Sequence, residues 1–408
     1  MIDLKTARRE VIEAMAVLSH ETVELADAGG RVLAEDVVAN EDIPAFDNSG
    51  MDGYAVMGSD VANPGAMLRI TGEIAAGMPG EGRVSPGTAM KIMTGAPLPD
   101  GADTVVRVED TRTLDTVVHI DPAVEVGTAV RPAGADIAAG SVVFPRGTRL
   151  APAHLAVLAA VGQSRPIVHR RPRVALFSTG DELTPPSTAA LRRGQIRDSN
   201  RVLLAALLSE VAALRDMGIA RDDPSELHSS LGRAAAGADA IVTSGGVSLG
   251  DHDHVRAVLG DLGSIELWRV AIKPAKPFAF GHIGGAAFFG LPGNPVSAAV
   301  AFEQLVRPAL LAMQGARLLL RPRIRAVAGE RLLSEPDRLE FVRVKLGRDG
   351  RGRMVARPSG AQASNVLSAL AAADGLALIP KGVTEVRAGS AVDVELLHAM
   401  ENRGSDDE

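Results

Sequence analysis

Val174-Ala-Leu-Phe-Ser178 is a continuous apolar run too short for a helix, and the chain that follows repeats its pattern. A strand buried on both faces reads this way, because helices cover both sides of a parallel sheet. Residues about 199–212 then carry Val202, Leu203, Ala206, Leu207 and Glu210 at helical spacing. Ala213 to Ile219 can form a strand, Pro224 opens a second helix to about Ala236, and Ala240-Ile-Val-Thr-Ser244 is another buried strand. A helix over about 253–260, a strand around Ile265 to Ile272, the strand Ala286-Ala-Phe-Phe-Gly290 and a long helix from Pro295 to about Met313 complete the series. Strands alternating with helices predict βαβ units and a mainly parallel sheet over residues 173–318.

Working outward, Leu4, Ala7, Val11, Met15 and Leu18 predict an amphipathic opening helix, and residues 151–163 a second one with Pro152 near its start. Between about Phe46 and Phe144 glycine and proline are dense, and short β-branched runs sit between them: Thr104-Val-Val-Arg-Val, Thr116-Val-Val-His-Ile and Ser141-Val-Val-Phe. That texture predicts a small β module over 46–144. Arg317 to Pro322 reads as a boundary. Beyond it the alternating runs from Arg323, Glu340, Met354, Gly375 and Ala391 predict a C-terminal β-barrel or sandwich over 319–400. The acidic tail 401–408 reads as disordered. The basic stretch His169-Arg-Arg-Pro-Arg173 reads as a solvated linker rather than a nucleic-acid patch.

Composition narrows the function. The 408 residues carry 43 Lys and Arg against 50 Asp and Glu, a net charge of −7. A chain of this length implies ~2–4 domains. Its charge disfavours a polyanion binder, so no nucleic-acid partner is expected, and positive charge for a small anionic substrate must be local. One Trp, one Tyr and nine Phe offer few platforms for base stacking. The absence of cysteine rules out disulfides, thiolate metal sites and cysteine nucleophiles, and fits a reducing compartment. The N-terminus lacks an apolar signal core, and runs such as Leu155 to Val161 fall short of the ~20 residues that span a bilayer. A soluble cytoplasmic protein without membrane association is the expectation.

In an open α/β sheet, ligands bind beyond the carboxyl ends of the strands. The segments that follow the predicted strands are Ser178-Thr-Gly-Asp-Glu182, Arg221-Asp222-Asp223, Ser244-Gly-Gly-Val-Ser-Leu-Gly-Asp-His-Asp253, and Leu291-Pro-Gly-Asn-Pro-Val-Ser297, with Arg269-Val-Ala-Ile-Lys273-Pro-Ala-Lys276 between the last two. Five loops should therefore gather at one edge. Gly245, Gly246 and Gly250, with Ser244 and Ser248 between and before them, allow backbone N–H groups to close around an anion. Asn294-Pro295 reads as an N-cap and first-turn proline that would aim a helix N-terminus at the same crevice. Arg269, Lys273 and Lys276 add positive charge. Glu182, Asp222 and Asp253 are hard oxygen ligands of the kind that hold Mg2+. Together these groups suit phosphate-ester or phosphoanhydride chemistry with a metal. Taken singly each is weak. A Ser-Thr-Gly-Asp loop is an ordinary βα turn, and no Lys-Ser/Thr follows Gly250 to make a Walker loop. His252 and His254 would lie ~200° apart on a helix and could not chelate together. Lys273 and Lys276 are solvated surface lysines in their plainest reading.

The same residues carry a resemblance. Phe46-Asp-Asn-Ser-Gly-Met-Asp-Gly-Tyr-Ala55, Ile92-Met-Thr-Gly-Ala-Pro97, Ser178-Thr-Gly-Asp-Glu-Leu183, Arg221-Asp-Asp-Pro224, the 244–253 loop, Ala271-Ile-Lys-Pro-Ala-Lys-Pro-Phe-Ala-Phe280 and Leu291-Pro-Gly-Asn-Pro-Val-Ser297 run in one order along nearly the whole chain. In this the sequence resembles the molybdopterin molybdenumtransferase family, the bacterial relatives of the gephyrin E-domain. The resemblance implies a mixed helical region from 1–45 and 145–172 with the β module inserted, a molybdopterin-binding α/β domain, a C-terminal β domain and a homodimer. It implies insertion of molybdate into adenylyl-molybdopterin with release of AMP and Mg2+ as the metal. Molybdopterin adenylyltransferase and molybdoenzyme maturation proteins are the partners it suggests. By the same resemblance Asp52 and Thr94 support activity, across the dimer, with Asp52 as an acid/base group. Glu182, Asp222 and Asp253 match functional acids, and Lys273 and Lys276 match the basic residues of the α/β domain. Pro292 and Pro295 shape the last loop, and Arg131 and Asp136 form a further charged pair. Two positions depart from the pattern. Arg269 stands where lysine is frequent, which exchanges a point charge for a planar fork. Ala275 stands where glycine is frequent, so a positive φ there is costly. A molybdopterin adenylyltransferase, revealed by ATP consumption, and a non-catalytic scaffold of gephyrin type are the alternative readings.

Overall fold

The computed structural model describes residues 1–245, 260 and 262–399. Helix α1 (Leu4–Glu13) starts where the Asp3 carboxylate accepts hydrogen bonds from the amides of Lys5 and Thr6, at 2.9 and 3.4 Å. Its buried stripe of Leu4, Ala7 and Val11 packs into the same core as Leu204, Leu208 and Phe302. Burying each of the larger side chains contributes ~1.5–3 kcal/mol. The helix stops at Glu13, so Met15 and Leu18 lie beyond it, yet both still pack against that core.

Six strands form the β module: β1 (Gly53–Val56), β2 (Ala66–Ile74), β3 (Thr88–Ile92), β4 (Thr104–Arg107), β5 (Thr111–Leu114) and β6 (Val117–Ile120), in the order β4-β1-β3-β2-β6-β5. Val142–Phe144 pairs outside this sheet, with Val37–Val38. Around it, helix α2 (Pro152–Ala160) and a three-stranded sheet of His20–Thr22, Ile167–His169 and Val32–Leu33 enclose a small core that includes Leu33, Leu150, Leu158 and Val168.

The α/β unit contains β7 (Arg173–Thr179), α3 (Ser199–Ser209), β8 (Ala213–Ala220), α4 (Pro224–Ala235), β9 (Ala240–Ser244), β10 (Gly263–Arg269), β11 (Pro277–Ile283) and β12 (Ala286–Leu291). The strand order is β8-β7-β9-β12-β11-β10. The first four are parallel, and β11 is antiparallel to both of its neighbours. One core fills each face of this sheet. Strand β11 was not anticipated, because its Lys-Pro-Ala-Lys-Pro approach reads as a loop, and the strand expected up to Ile272 ends at Arg269. The long helix after Pro295 is α5 (Pro295–Ala301) and α6 (Arg307–Ala312) joined by a π-helical segment, Phe302–Val306. The helix expected over 253–260 lies outside the described residues, apart from Gly260.

The C-terminal strands β13 (Arg323–Ala328), β14 (Leu339–Arg348), β15 (Met354–Pro358), β16 (Gly375–Ile379) and β17 (Ala391–Leu396) close on themselves in the order β14-β15-β13-β17-β16. The result is a five-stranded barrel around Val342, Val344, Ala356, Ala377 and Val394. Closure removes the free edges that an open sheet would expose.

Candidate active site

Register brings the loops level. Thr179 lies opposite Ala220, Ser178 opposite Ser244, and Ser244 opposite Leu291. Strand β10 runs in the direction of β12, and its last residue, Arg269, lies opposite Pro277. The segments from Gly180, Arg221, Gly245, Val270 and Pro292 therefore all leave the sheet at one edge, where α/β folds bind ligands.

Hydrogen bonds tie these segments together. The Asp222 amide donates to Asp181 Oδ1 at 3.3 Å, joining the loops after β7 and β8. Asn200 Nδ2 donates to Ser244 Oγ at 2.8 Å and to the Gly293 carbonyl at 2.7 Å, joining the loops after β9 and β12. The Gly245 amide donates to the Leu291 carbonyl at 3.1 Å. Gly245 has φ of 92°, and a Cβ there would stand 2.5 Å from the Thr179 carbonyl, so only glycine fits this approach. Beneath the edge, buried Asp198 caps α3 and accepts from Ser178 Oγ at 3.1 Å and from Arg201 Nε at 3.0 Å. Asn200 and Asp198 are absent from the sequence-based site. Their signal is the polar run Asp198-Ser-Asn200 immediately before an apolar helical pattern, which otherwise reads as a capping sequence.

The acids at this edge are exposed. Glu182 makes no side-chain hydrogen bond or ion pair among the described residues, and its carboxylate lies back over Gly180, where a Cβ would meet Oε2 at 2.6 Å. Asp223 caps α4 by accepting from the Glu226 amide at 2.9 Å, which fixes the loop that carries Asp222. Gly246, Ser248, Gly250 and Asp253 lie outside the described residues. Among the described residues no three His, Asp or Glu side chains converge as a metal site.

The basic residues divide. Arg269 is exposed and its carbonyl accepts from the Ile2 amide at 2.8 Å. Lys276 is half-buried on the return to β11. Lys273 is not a free surface lysine. Its Nζ lies 3.3 Å from Glu335 and 3.2 Å from Glu340, both in the C-terminal region. Ala275 adopts φ of 83°, the conformation anticipated from glycine's frequency there. Asn294 is the N-cap by position, but its side chain does not cap α5. It donates to Ser364 Oγ at 3.0 Å, and the Val296 amide donates to the Ser364 carbonyl at 3.1 Å. The last loop and the helix start are thereby attached to the segment 359–366. Fully buried Arg343 holds that segment by donating to the carbonyls of Ala361 and Ala363, at 3.0 and 3.3 Å. Pro292 is buried, and Pro295 occupies the first helical turn.

Asp52 and Thr94 meet in the β module. Asp52 Oδ1 accepts from the Thr94 amide at 2.7 Å and from Thr94 Oγ1 at 2.8 Å. The backbone bond, then the hydroxyl bond, hold the Asp52 carboxyl below its ordinary value, with a smaller contribution from Lys91. Gly53 permits the turn into β1, since a Cβ there would sit 1.9 Å from the Val106 carbonyl. Arg131 supports the preceding turn by donating to the Gly50 carbonyl at 3.2 Å. The Asp136 amide donates to the Ile43 carbonyl at 3.0 Å. The Asp52–Thr94 pair thus belongs to a different sheet from the crevice acids. A separate cleft of about 540 Å³ between the N-terminal region and the end of the last helix is lined by Asp36, Arg146, His169 and Arg317, and holds none of the anticipated site residues.

Comparison with known proteins agrees with this layout. Residues 2–162 match the model of the MoeA N-terminal region (domain I and II), residues 175–312 that of a probable molybdopterin binding domain, and residues 325–397 that of the MoeA C-terminal region (domain IV). The molybdopterin molybdenumtransferase of Haemophilus influenzae is 35% identical over 97% of this chain and 98% of that protein. Molybdopterin molybdenumtransferase 2 of Mycobacterium tuberculosis is 39% identical over 97% of this chain and 99% of its own. The crystal structure of the molybdopterin biosynthesis MoeA protein from Pyrococcus horikoshii superposes with a TM-score of 0.84 at 28% identity, covering 97% of this chain and all of that one. Matched along nearly its whole length at such identities, the chain belongs to the molybdopterin molybdenumtransferase (MoeA) family.

Proposed function

We propose that this protein inserts molybdenum from molybdate into adenylyl-molybdopterin and releases AMP. The observation that carries the reading is the convergence of five loops, bearing Glu182, Asp222, Gly245, Lys273 and Asn294, at one sheet edge in a chain whose relatives are named for this transfer. The wider assignment, a transferase of molybdenum cofactor biosynthesis, rests on those relatives.

In the reaction, an oxygen of molybdate or of water attacks the adenylyl phosphorus. The anhydride P–O bond breaks with the pterin phosphate as leaving group, and AMP departs carrying the attacking oxygen. Molybdenum exchanges an oxygen for bonds to the two dithiolene sulfurs, the oxygen leaving in AMP or, with the two thiol protons, as water. Arg269, Lys273 and Lys276 offset the pyrophosphate charge, and the glycine-rich sequence 245–250, which beyond Gly245 lies outside the described residues, suits an amide cradle for it. Pro292, Asn294 and Pro295 shape the last wall. Mg2+ suits the exposed oxygen donors: Glu182 and Asp222, with Asp253, would hold it, and when bound it neutralises phosphate charge. Asp52, kept ionised by Thr94, serves as a fixed acceptor and not as a proton donor near neutrality. Arg131 steadies its loop through the Gly50 carbonyl, and with Asp136 on the same segment adds charge for substrate binding. The protein acts as a homodimer in the cytoplasm, with the β module of one subunit facing the α/β crevice of the other. No helix among the described residues is long and apolar enough to cross a membrane. The division into 1–45 with 145–172, 46–144, 173–318 and 319–400 describes its working parts.

Purified protein mixed with adenylyl-molybdopterin, molybdate and Mg2+ should release AMP in proportion to cofactor formed. Consumption of ATP with molybdopterin alone would instead mark an adenylyltransferase. Tight partner binding without AMP release would mark a scaffold.

A further inference from the structure

Lys273 lies on a loop of the α/β unit, yet its ammonium is held by the C-terminal barrel. Ile272–Lys273 pairs in parallel with Leu339–Glu340, and the Leu339 amide donates to the Ala271 carbonyl at 3.1 Å. The ladder sets Lys273 beside Glu340, whose Oε1 stands 3.2 Å from Nζ, while Glu335 Oε1 stands 3.3 Å away. Glu340 is buried at 4% exposure, and its Oε2 accepts from the Glu335 amide at 3.4 Å. Arg343, three residues on, feels the charge of Glu340 but gives its guanidinium to the carbonyls of Ala361 and Ala363. Glu335 also pairs with Arg338 at 2.6 Å. A buried carboxylate is costly unless paired, and among the described residues Lys273 is the ion-pair partner of Glu340. An ammonium has three donors. One donates to Glu335 while the ammonium stands in ion-pair contact with Glu340, and the side chain keeps 33% of its surface open at the crevice edge.

We infer that Glu340 is a positioning residue for the transfer reaction: with Glu335 it fixes the Lys273 ammonium so that its open side faces the anionic substrate. The barrel then shapes the crevice from both sides, holding the cationic loop through Glu340 and the last loop through Ser364. The inference rests on Lys273 contacting substrate phosphate, as proposed above.

The test compares wild type, Lys273→Ala, Glu340→Gln and the double variant as full-length proteins. It reads the Kd for inorganic pyrophosphate by calorimetry, KM and kcat for AMP release, and urea unfolding. Glutamine keeps the volume of Glu340 and its bond from the Glu335 amide. Glu340→Gln should weaken pyrophosphate binding and raise KM about tenfold, the scale of one charged hydrogen bond, with kcat within about twofold. Adding it to Lys273→Ala should cost nothing further, because Glu340 acts through that lysine. Wild-type Kd and KM in Glu340→Gln beside impaired Lys273→Ala would overturn the inference and leave the site reading standing, as would losses that multiply in the double variant. Lower unfolding midpoints with unchanged KM would reduce Glu340 to a structural role and likewise overturn it. Should glutamine prevent folding, Glu340→Asp carries the same comparison. A Lys273→Ala variant that binds pyrophosphate normally would sink the inference and the role given to Lys273 together. Wild type that binds pyrophosphate but releases no AMP would sink the proposed reaction alone, since the binding comparison still reads Glu340.

Discussion

Two side chains show how single atoms set the chemistry. Thr94 gives Asp52 two hydrogen bonds, and both favour the carboxylate. A depressed carboxyl stabilises the fold above its ordinary range, and that contribution is lost as pH falls through the lowered value. Activity that needs the Asp52 carboxylate should follow the same limb. Thr94→Val removes the hydroxyl donor and leaves the amide. It is expected to reduce kcat/KM about tenfold and to move the acid limb of the pH–rate profile upward. An unmoved limb would separate Asp52 from catalysis. Ala275 makes the opposite case, a residue at odds with its backbone. At φ of 83° an L side chain is strained by ~1–2 kcal/mol. Ala275→Gly should stabilise the protein by about 1 kcal/mol, after the loss of one buried methyl, and raise its urea midpoint. A lower midpoint would show that the loop tolerates the alanine.

Elements were legible from helical spacing, from alternation and from short continuous apolar runs, although the spacing of Met15 and Leu18 carries on past the end of α1 at Glu13. The runs at 174–178, 240–244 and 286–290 became central strands because buried parallel strands need no alternation. Strand β11 was missed because Pro274 and Pro277 punctuate its start, although Phe278, Phe280 and Ile283 go on to fill both cores. The π segment Phe302–Val306 carries Glu303 and Gln304 at positions that an ordinary α-helical turn could equally hold, so the sequence does not mark it. Glu303 within it pairs with Arg321, a contact that no local pattern reveals. Gly245, Glu182 and Asp222 could be placed at the sheet edge from their loops, whereas the contacts of Asn200 and Glu340 could not, because their partners lie on distant segments. The basic stretch 169–173 was also misjudged as solvated linker. Arg170 grips Asp239 with two bonds of 2.6 and 2.7 Å, and the Arg173 amide adds a third at 2.7 Å. Burial pushes the Asp239 carboxyl up, but these bonds outweigh it and hold the group well below the usual carboxylate range. This clasp joins the linker to the start of β9, at the edge opposite the crevice. Asp239→Asn should therefore cost about 2 kcal/mol without altering KM. The deficit should persist from neutral pH to about pH 5 and shrink only below ~pH 4, as the unfolded-state carboxyl is protonated, vanishing as pH falls through the lowered native value. A deficit that vanished by pH 6 would contradict the assignment.

At the scale of the molecule, the proposed site is divided between a module and a crevice built on separate sheets. Among the described residues Asp52 forms its hydrogen bonds within its own module, with Thr94 and Val108. The crevice acids Glu182 and Asp222 belong to the α/β edge. If the module of one subunit completes the crevice of its partner, a two-fold dimer has two sites, each drawing on both chains. Asp52→Asn and Asp222→Asn homodimers would each lack one half at both sites and be inactive. In a heterodimer one site would carry both substitutions and the other neither. Mixing the two variants in equal amounts and allowing subunits to exchange should therefore restore about a quarter of wild-type AMP release, because half of the dimers are mixed and one site in each is intact. Sites formed within one chain would give no recovery at any mixing ratio, since every chain would carry a defect in its own site. Light scattering on the same mixture fixes the subunit number. A monomer would rule out the shared arrangement before any activity is measured, and would require Asp52 to reach the crevice by a rearrangement within its own chain.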